Sequence, residues 1–447
     1  MACPPCQPKQ TLSYAFTCYT SMQNALKYFD AQILSEKNKH MKKTNANIDF
    51  PTETIQEGKA KILVPKLEVF TKQPSDYAPS KAPVFYNPVM ELNRDIAVLA
   101  LQAYQRIVDR KISVCEPLTG CGIRGIRFAT EVKGIKKAII NDISDKAAQL
   151  ARINVQRNKL DERVTVKNKD ANLLLAHYSA PHKRFDAIDI DPFGSPTPYI
   201  DSAIRALRNN GLLALTATDM APLCGVHPKA CIRKYGGKPL RTEYCHELAI
   251  RLLAGCLAMI AAKHDIGIHV IFSHSANHYI RVYAIINYGA KKADESIGNM
   301  GYILHCFKCF HRKTTKELFK TDQHKCSECS SKMNFAGPLW LGKLADQQFY
   351  KTMKSEAKHK ALKTGEKIVK IINLISEEAD TSPTYYVLDK ICDRMGLPVP
   401  STEKIIKALK EKGFKATATH FNPKGIRTDA NASVLTSIVK EFFEKVK

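Results

Sequence analysis

Polar and apolar positions alternate with two different periods once the chain passes residue 84. Apolar residues recur every three to four positions over 91–109, the period of an amphipathic helix. Short apolar runs then predict strands at 111–116, 137–143, 163–167, 185–191 and 212–219. Helical patterning fills 122–132, 144–158, 196–209 and 242–264, and the runs 268–273 and 279–287 read as an antiparallel hairpin. Seven strands result, five of them in βα units and two pairing directly. The expected fold is α/β, a Rossmann-like mixed sheet, mostly parallel, with helices on both faces.

Flanking regions follow other patterns. Residues 1–45 show weak periodicity and read as a poorly ordered N-terminal extension; Met41 is an alternative start. Cys3 and Cys6 lie there without a second pair nearby. The sheet pattern assigns 46–295 to one domain and 296–447 to a second, which begins with a cysteine-bearing insert at 301–340. A lysine-rich helical region follows: 351–370 holds seven Lys against two Glu. Helix 384–396, a turn through Pro398 and Pro400, helix 402–412 with Ser401 as its cap and Gly413 as its stop, and a strand-like 415–420 suggest a C-terminal α+β winged-helix-like unit.

Charge narrows the partner. Lys and Arg number 68 against 43 Asp and Glu, a net charge of +25. Such an excess points to a polyanion, usually nucleic acid, through counterion release. No stretch of 18 uninterrupted apolar residues is present, which disfavours a membrane. The scattered cysteines suit a reducing compartment, and no secretory signal is expected. The expected location is intracellular, cytoplasmic or nuclear.

Candidate chemistry falls at strand ends. Strand 112–116 runs into Gly120-Cys121-Gly122-Ile123-Arg124-Gly125, a G-x-G-x-x-G loop before a helix. Asp142 follows the next strand, 22 residues after Gly120, where an acid accepts the hydroxyls of a ribose. Asp170-Ala171 follows the third strand, a usual place for an adenine contact. A dinucleotide would set a pyrophosphate on the helix N-terminus. Glu116 would repel it but can hold an amine, and Arg124 can hold a carboxylate, so S-adenosylmethionine is favoured as cofactor over NAD(P). Asp191-Pro192-Phe193-Gly194 closes the fourth strand. It offers a carboxylate, a free carbonyl and a flat ring at one point, two acceptors and a stacking surface suited to a nucleobase amine. The bland alternative is a strand-end turn. Cys306, Cys309, Cys326 and Cys329 form C-x2-C-x16-C-x2-C, the spacing of a zinc ribbon, and four thiolates make the metal structural. The basic stretch 227–241, with Lys229, Arg233, Lys234, Tyr235, Lys238 and Arg241, reads as a phosphate-contacting loop.

These residues together resemble the tRNA guanine-26 N2-dimethyltransferase family. The resemblance rests on Phe85-Tyr86-Asn87-Pro88, Leu92-Asn93-Arg94-Asp95, Gly122 to Arg127, Asp189 to Pro196, Thr218 to Gly225, Lys238 to Tyr244, His274-Ser275 and Thr419 to Pro423. It covers about 55–435; residues 1–45 lie outside it, and Glu116 stands where aspartate is common. It implies a class I methyltransferase with tRNA as partner; no obligate protein partner is evident in the sequence. By resemblance, Arg94, Arg124, Asp142, Asp170 and Ala171 contact S-adenosylmethionine, Asp191 stands at the reaction centre, and Phe85 and Phe193 sandwich the guanine. The rivals are an N2-guanine methyltransferase acting elsewhere on tRNA and a nonenzymatic zinc-ribbon nucleic-acid binder.

Overall fold

Burial, not propensity, separates the strands of this protein. All six residues of Phe185–Ile190 are buried, as are the last four of Ile135–Asn141. Strands covered on both faces read as continuous apolar runs. The computed structural model describes residues 48–70, 78–276, 278–318 and 325–444. The N-terminal extension, with Cys3, Cys6 and Met41, lies outside the described residues.

In chain order the strands are β1 (Thr52–Glu57), β2 (Ala60–Pro65), β3 (Ile112–Glu116), β4 (Ile135–Asn141), β5 (Val164–Lys167), β6 (Phe185–Ile190), β7 (Leu207–Ala217), β8 (Ile266–Ala276) and β9 (Tyr279–Tyr288). Beyond them come β10 (Met300–His305), β11 (Arg312–Thr315), β12 (Asn334–Trp340), β13 (Tyr386–Val387), β14 (Ala416–Ala418) and β15 (Gly425–Thr428). The main sheet has the order β5-β4-β3-β6-β7-β9-β8. Its first five strands are parallel, and β9 runs antiparallel to both β7 and β8. This is the seven-stranded mixed sheet expected from the sequence. The order reverses at β3, so the C-terminal ends of β3, β4 and β6 open a crevice there.

The helix Cys245–Ala262 is long and apolar enough to cross a membrane by length and composition, yet it packs against β8 and β12 inside the fold. Most of its residues belong to the large core cluster of the sheet.

Several elements depart from the sequence reading. The helix expected over 196–209 spans only Thr197–Arg205, and β7 begins at Leu207. Leu207 pairs with Phe185, while Asn209 accepts a bond from the Tyr288 backbone and Asn210 one from the Asn287 amide. Cross-strand bonds there replace helical ones. The hairpin β1–β2, turning at Gly58 with φ 53°, was not anticipated. Insert 301–340 contributes to a three-stranded sheet, β11-β10-β12. In the C-terminal region the expected helix 384–396 starts as strand β13 and becomes helical only over Leu388–Met395. Ser401 occupies the N-cap position of Thr402–Glu411 without a side-chain cap bond. Strand β15 and the helix Ala432–Glu444 complete that region with the sheet β13-β15-β14.

Candidate active site

Three glycines shape the loop after β3. Gly120 (φ 55°) and Gly122 (φ 84°) adopt the left-handed conformation. A Cβ on Gly120 would sit 2.9 Å from the Phe85 carbonyl oxygen, so only glycine lets segment 84–87 cross the loop. That crossing brings Phe85 to the sheet edge. Gly125 lies in the helix Ile123–Glu131, where a Cβ would meet Ile140 Cγ2 at 2.2 Å. The helix therefore packs its backbone directly on β4.

Asp142 faces this loop. Its Oδ2 accepts the Gly120 N–H at 2.9 Å and its Oδ1 the Ser144 N–H at 2.9 Å. Each oxygen keeps a further lone pair for a ligand hydroxyl. Burial raises its pKa. Asp170 caps the helix Ala171–His177 through the Leu173 N–H at 3.0 Å, and Ala171 is buried. Nearby along the chain, Ile143 and Leu173 are 67% and 70% exposed, apolar surface at the ends of β4 and β5. Sequence reading missed Asn141. Its amide donates to the carbonyls of Pro117 and Lys169 and accepts from the Lys169 N–H at 3.1 Å, tying three strand-end loops together. A polar residue closing an apolar strand was the available signal.

Two further residues expected on the ligand also bond to the protein. Arg94 donates to both oxygens of Glu57 at 2.6 and 2.5 Å and to the Asn87 carbonyl at 3.2 Å. Glu116 accepts from Thr119 Oγ1 at 2.5 Å and the Gly125 N–H at 2.9 Å, with Arg124 Nε 3.5 Å away. Burial pushes its carboxyl up to about 8, against the pull of Arg124 and the Thr119 hydroxyl.

At the end of β6, Asp189 and Asp191 share two arginines. Arg124 Nε lies 3.8 Å from Asp189 Oδ1, and its terminal nitrogen bonds Asp191. The other terminal nitrogen of Arg124 is buried and has no hydrogen-bond partner among the described residues. Arg281, fully buried on β9, bonds Asp189 and Thr216, and donates to Tyr283 Oη at 2.8 Å. Burial would raise the Asp191 pKa, but Arg124 and then Arg281 outweigh it and hold the carboxyl below the usual range. Arg281 was not singled out in the sequence; a lone cation inside an apolar strand was its signal.

Pro192 and Phe193 follow in a loop pinned at Gly194. The Gly194 N–H donates to Thr218 Oγ1 at 2.7 Å, and the Thr218 N–H returns a bond to the Gly194 carbonyl at 2.9 Å. Phe193 is 66% exposed and meets Phe85 edge to face, with centroids 4.3 Å apart. A base sandwiched between two rings needs about 7 Å between them, two contact distances of roughly 3.5 Å. In this state the rings fill each other's place.

The basic stretch 227–241 is not a loop throughout: Pro228–Tyr235 is helical. Tyr235 is buried and donates to Asp219 Oδ1 at 2.5 Å, while Lys234 bonds Asp219 Oδ2 at 3.0 Å. Tyr235 is thus an anchor rather than a surface ring. Lys229, Arg233 and Arg241 are exposed, and the Lys238 ammonium sits 4.1 Å over the Phe335 ring.

The four cysteines of the insert converge, with all four Sγ atoms within 4.8 Å of one another. Cys306 and Cys329 lie 3.5 Å apart, and Cys309 and Cys326 3.4 Å. A zinc tetrahedron with Zn–S bonds of about 2.3 Å sets its sulfurs about 3.8 Å apart, so the donor set fits. Two matching turns present them: the Cys306 N–H bonds the His311 carbonyl, and the Cys326 N–H bonds that of Ser331, each at 2.8 Å.

Comparison with known proteins matches this geometry to a family. The model of the N2,N2-dimethylguanosine tRNA methyltransferases covers residues 58–440. The chain belongs to this family. It is 42% identical to the tRNA (guanine(26)-N(2))-dimethyltransferase of Methanobrevibacter smithii over 88% of this chain and 98% of that protein. It is 38% identical to an Aquifex aeolicus relative named for guanines 26 and 27, over 84% of this chain and 93% of that one. The structure of Trm1 from Pyrococcus horikoshii with S-adenosyl-L-methionine superposes with a TM-score of 0.76 at 38% identity, over 86% of this chain and 99% of that one.

Proposed function

We propose that this protein transfers methyl groups from S-adenosylmethionine to the exocyclic N2 of guanine 26 of tRNA. The supporting observation is Asp191, held ionised by Arg124 and Arg281 at the sheet edge beside the glycine loop and Phe193. The residues present fit the donor. Gly120 and Gly122 leave a cradle without side chains, Asp142 offers two acceptors for a ribose, and the unpartnered Arg124 nitrogen suits a carboxylate. Glu116 fits an amine and Asp170-Ala171 the adenine edge. When bound, the donor supplies an electrophilic methyl on a sulfonium.

The chain's own residues address the acceptor. The guanine N2 lone pair is delocalised into the ring. Asp191 and the Pro192 carbonyl accept its two hydrogens and localise the lone pair toward the methyl. Positioning then carries the step and is worth about 7–11 kcal/mol. The alkylated nitrogen is strongly acidic, so Asp191 or water takes its proton. Phe85 and Phe193 separate to admit the base, and stacking contributes roughly 1–3 kcal/mol. The target base leaves its helix to reach them.

The remaining chain serves the tRNA body. The four-cysteine cluster holds a structural zinc in a ribbon, and β13–β15 with their helices form a winged-helix-like module. Lys351, Lys354, Lys358, Lys363, Lys367 and Lys370 are exposed. Incubation with unmodified tRNA and labelled donor, read by nucleoside mass spectrometry, tests the reading. N2,N2-dimethylguanosine is expected, and none from a transcript with adenine at position 26. Undiminished methylation of that transcript would move the reading to another guanine.

A further inference from the structure

Two thiols and an imidazole meet away from the four-cysteine cluster. Sγ of Cys224, Sγ of Cys245 and a ring nitrogen of His246 lie within 4.8 Å of one another, all three side chains half-buried. They come from two segments that are far apart in no sense but sequence. The turn Met220–Leu223 ends at Cys224, whose N–H donates to the Met220 carbonyl at 2.7 Å. The Val226 N–H closes back on the Ala221 carbonyl at 2.9 Å. Gly225, at φ 87°, presses on the second segment: a Cβ there would lie 2.8 Å from the Arg241 nitrogen and 2.9 Å from the Leu240 carbonyl carbon. A few residues on, Cys245 and His246 open the helix Cys245–Ala262, and the Cys245 N–H bonds the Thr242 carbonyl at 3.2 Å. Backbone bonds therefore present the three donors before any ligand arrives.

We propose that Cys224, Cys245 and His246 form a second metal site, for a thiophilic divalent cation of the zinc type, with water as fourth ligand. Two sulfurs and an imidazole are a borderline-soft set that zinc accepts, whereas magnesium and calcium take oxygen ligands that this cluster lacks. With bonds of about 2.3 Å to sulfur and 2.0–2.1 Å to nitrogen, tetrahedral neighbours stand roughly 3.4–3.8 Å apart. Donors within 4.8 Å reach that spacing by small side-chain rotations. The ion ties the turn after β7 to the start of the core helix. That turn follows Thr218, which holds the Phe193 loop at Gly194, and Asp219, which holds Lys234 and Tyr235 of the basic helix. A metal here stiffens the strip that joins the reaction centre to the basic helix.

The test counts metal in the full-length protein purified without chelator. Plasma mass spectrometry is expected to find about two zinc ions per chain, one for each cysteine set. Cys245→Ser and His246→Gln each remove one while Cys309→Ser leaves this one, so failure of the ribbon site would not be mistaken for failure of this one. Should the cysteine variants not fold, a cobalt titration of the unmutated protein after its zinc has been removed decides: thiolate charge-transfer bands that grow in two phases support the site. A zinc content that Cys224→Ser, Cys245→Ser and His246→Gln all leave unchanged overturns it. So does a single-phase titration ending at one equivalent. A Cys224–Cys245 disulfide in freshly purified protein, found by non-reducing peptide mapping, overturns it in favour of a redox pair.

Discussion

Single side chains decide the chemistry of the sheet edge. In the proposed scheme Asp191→Ala removes an acceptor for the guanine amine and is expected to lower single-turnover methyl transfer by about 10²–10⁴-fold, measured with labelled donor. The proposed scheme uses Asp191 ionised, and its pKa is depressed, so activity is expected to persist through the ordinary carboxylate range and to fall only as pH drops below it. Arg281→Met takes away one of the cations responsible. The acid limb of the pH–rate profile then moves to higher pH, and an unmoved limb would remove Arg281 from this role. Gly125→Ala places a methyl 2.2 Å from Ile140 Cγ2 and 2.9 Å from Glu116 Oε2. Overpacking of that kind costs about 1–3 kcal/mol, visible in thermal unfolding.

Elements are legible in the sequence where one pattern governs them. β6 is a largely apolar run followed by Asp191 and Pro192, and its motif announced the strand end. β7 was misjudged because Arg208, Asn209 and Asn210 are exposed and polar, and nothing local says that the side chains of Asn209 and Asn210 accept bonds from β9. The β1–β2 hairpin was missed for a related reason: its outer strand is largely exposed and is held in place through Glu57, which anchors Arg94 and Arg127. The cysteine insert is the opposite case, since ligand spacing reads directly. Its small cluster of Leu304, Met333 and the cysteines cannot hold the segment alone. Zinc binding contributes an apparent free energy of about 10–16 kcal/mol in small ribbons, so chelation is expected to open β10–β12 to limited proteolysis. Resistance after complete zinc removal would show that the neighbouring helix suffices.

Across the whole molecule, buried ions join the catalytic sheet to the C-terminal region. Arg427 on β15 bonds Glu247 of the core helix at 2.7 Å and Glu378 at 2.6 Å. Arg427→Met would leave two buried carboxylates short of a cation and cost about 3–5 kcal/mol, measured by thermal unfolding. Glu378 is held down to about 2, burial being outweighed by His420 and Arg427. Its folded pKa lies below the unfolded value of 4.5, so its contribution is complete above about 4.5 and is lost as pH falls toward about 2. An acid titration of stability checks this, and Glu378→Gln should flatten the loss. The net charge of +25 predicts that the logarithm of tRNA affinity falls linearly with the logarithm of salt concentration. Lys360 is excluded from that surface because its ammonium bonds the Glu131 carbonyl at 2.5 Å; Lys360→Ala should leave the salt slope unchanged, while Lys354→Ala should reduce it.

Strand-end motifs, metal spacing and charge excess are local or additive properties, so the sequence alone determined the sheet type, which residues end β6, the cysteine cluster and the positive charge that favours a polyanion. Partner choice among buried ions is not local. Arg94 and Tyr235 carry the same functional groups whether they face a ligand or the protein, and only packing set Arg94 on Glu57 and Tyr235 on Asp219. The same holds for Phe85 and Phe193, whose contact depends on Gly120 letting one backbone segment pass over another. Residues brought together across the chain acquire their roles from desolvation and distance, quantities that exist only once the tertiary structure has formed.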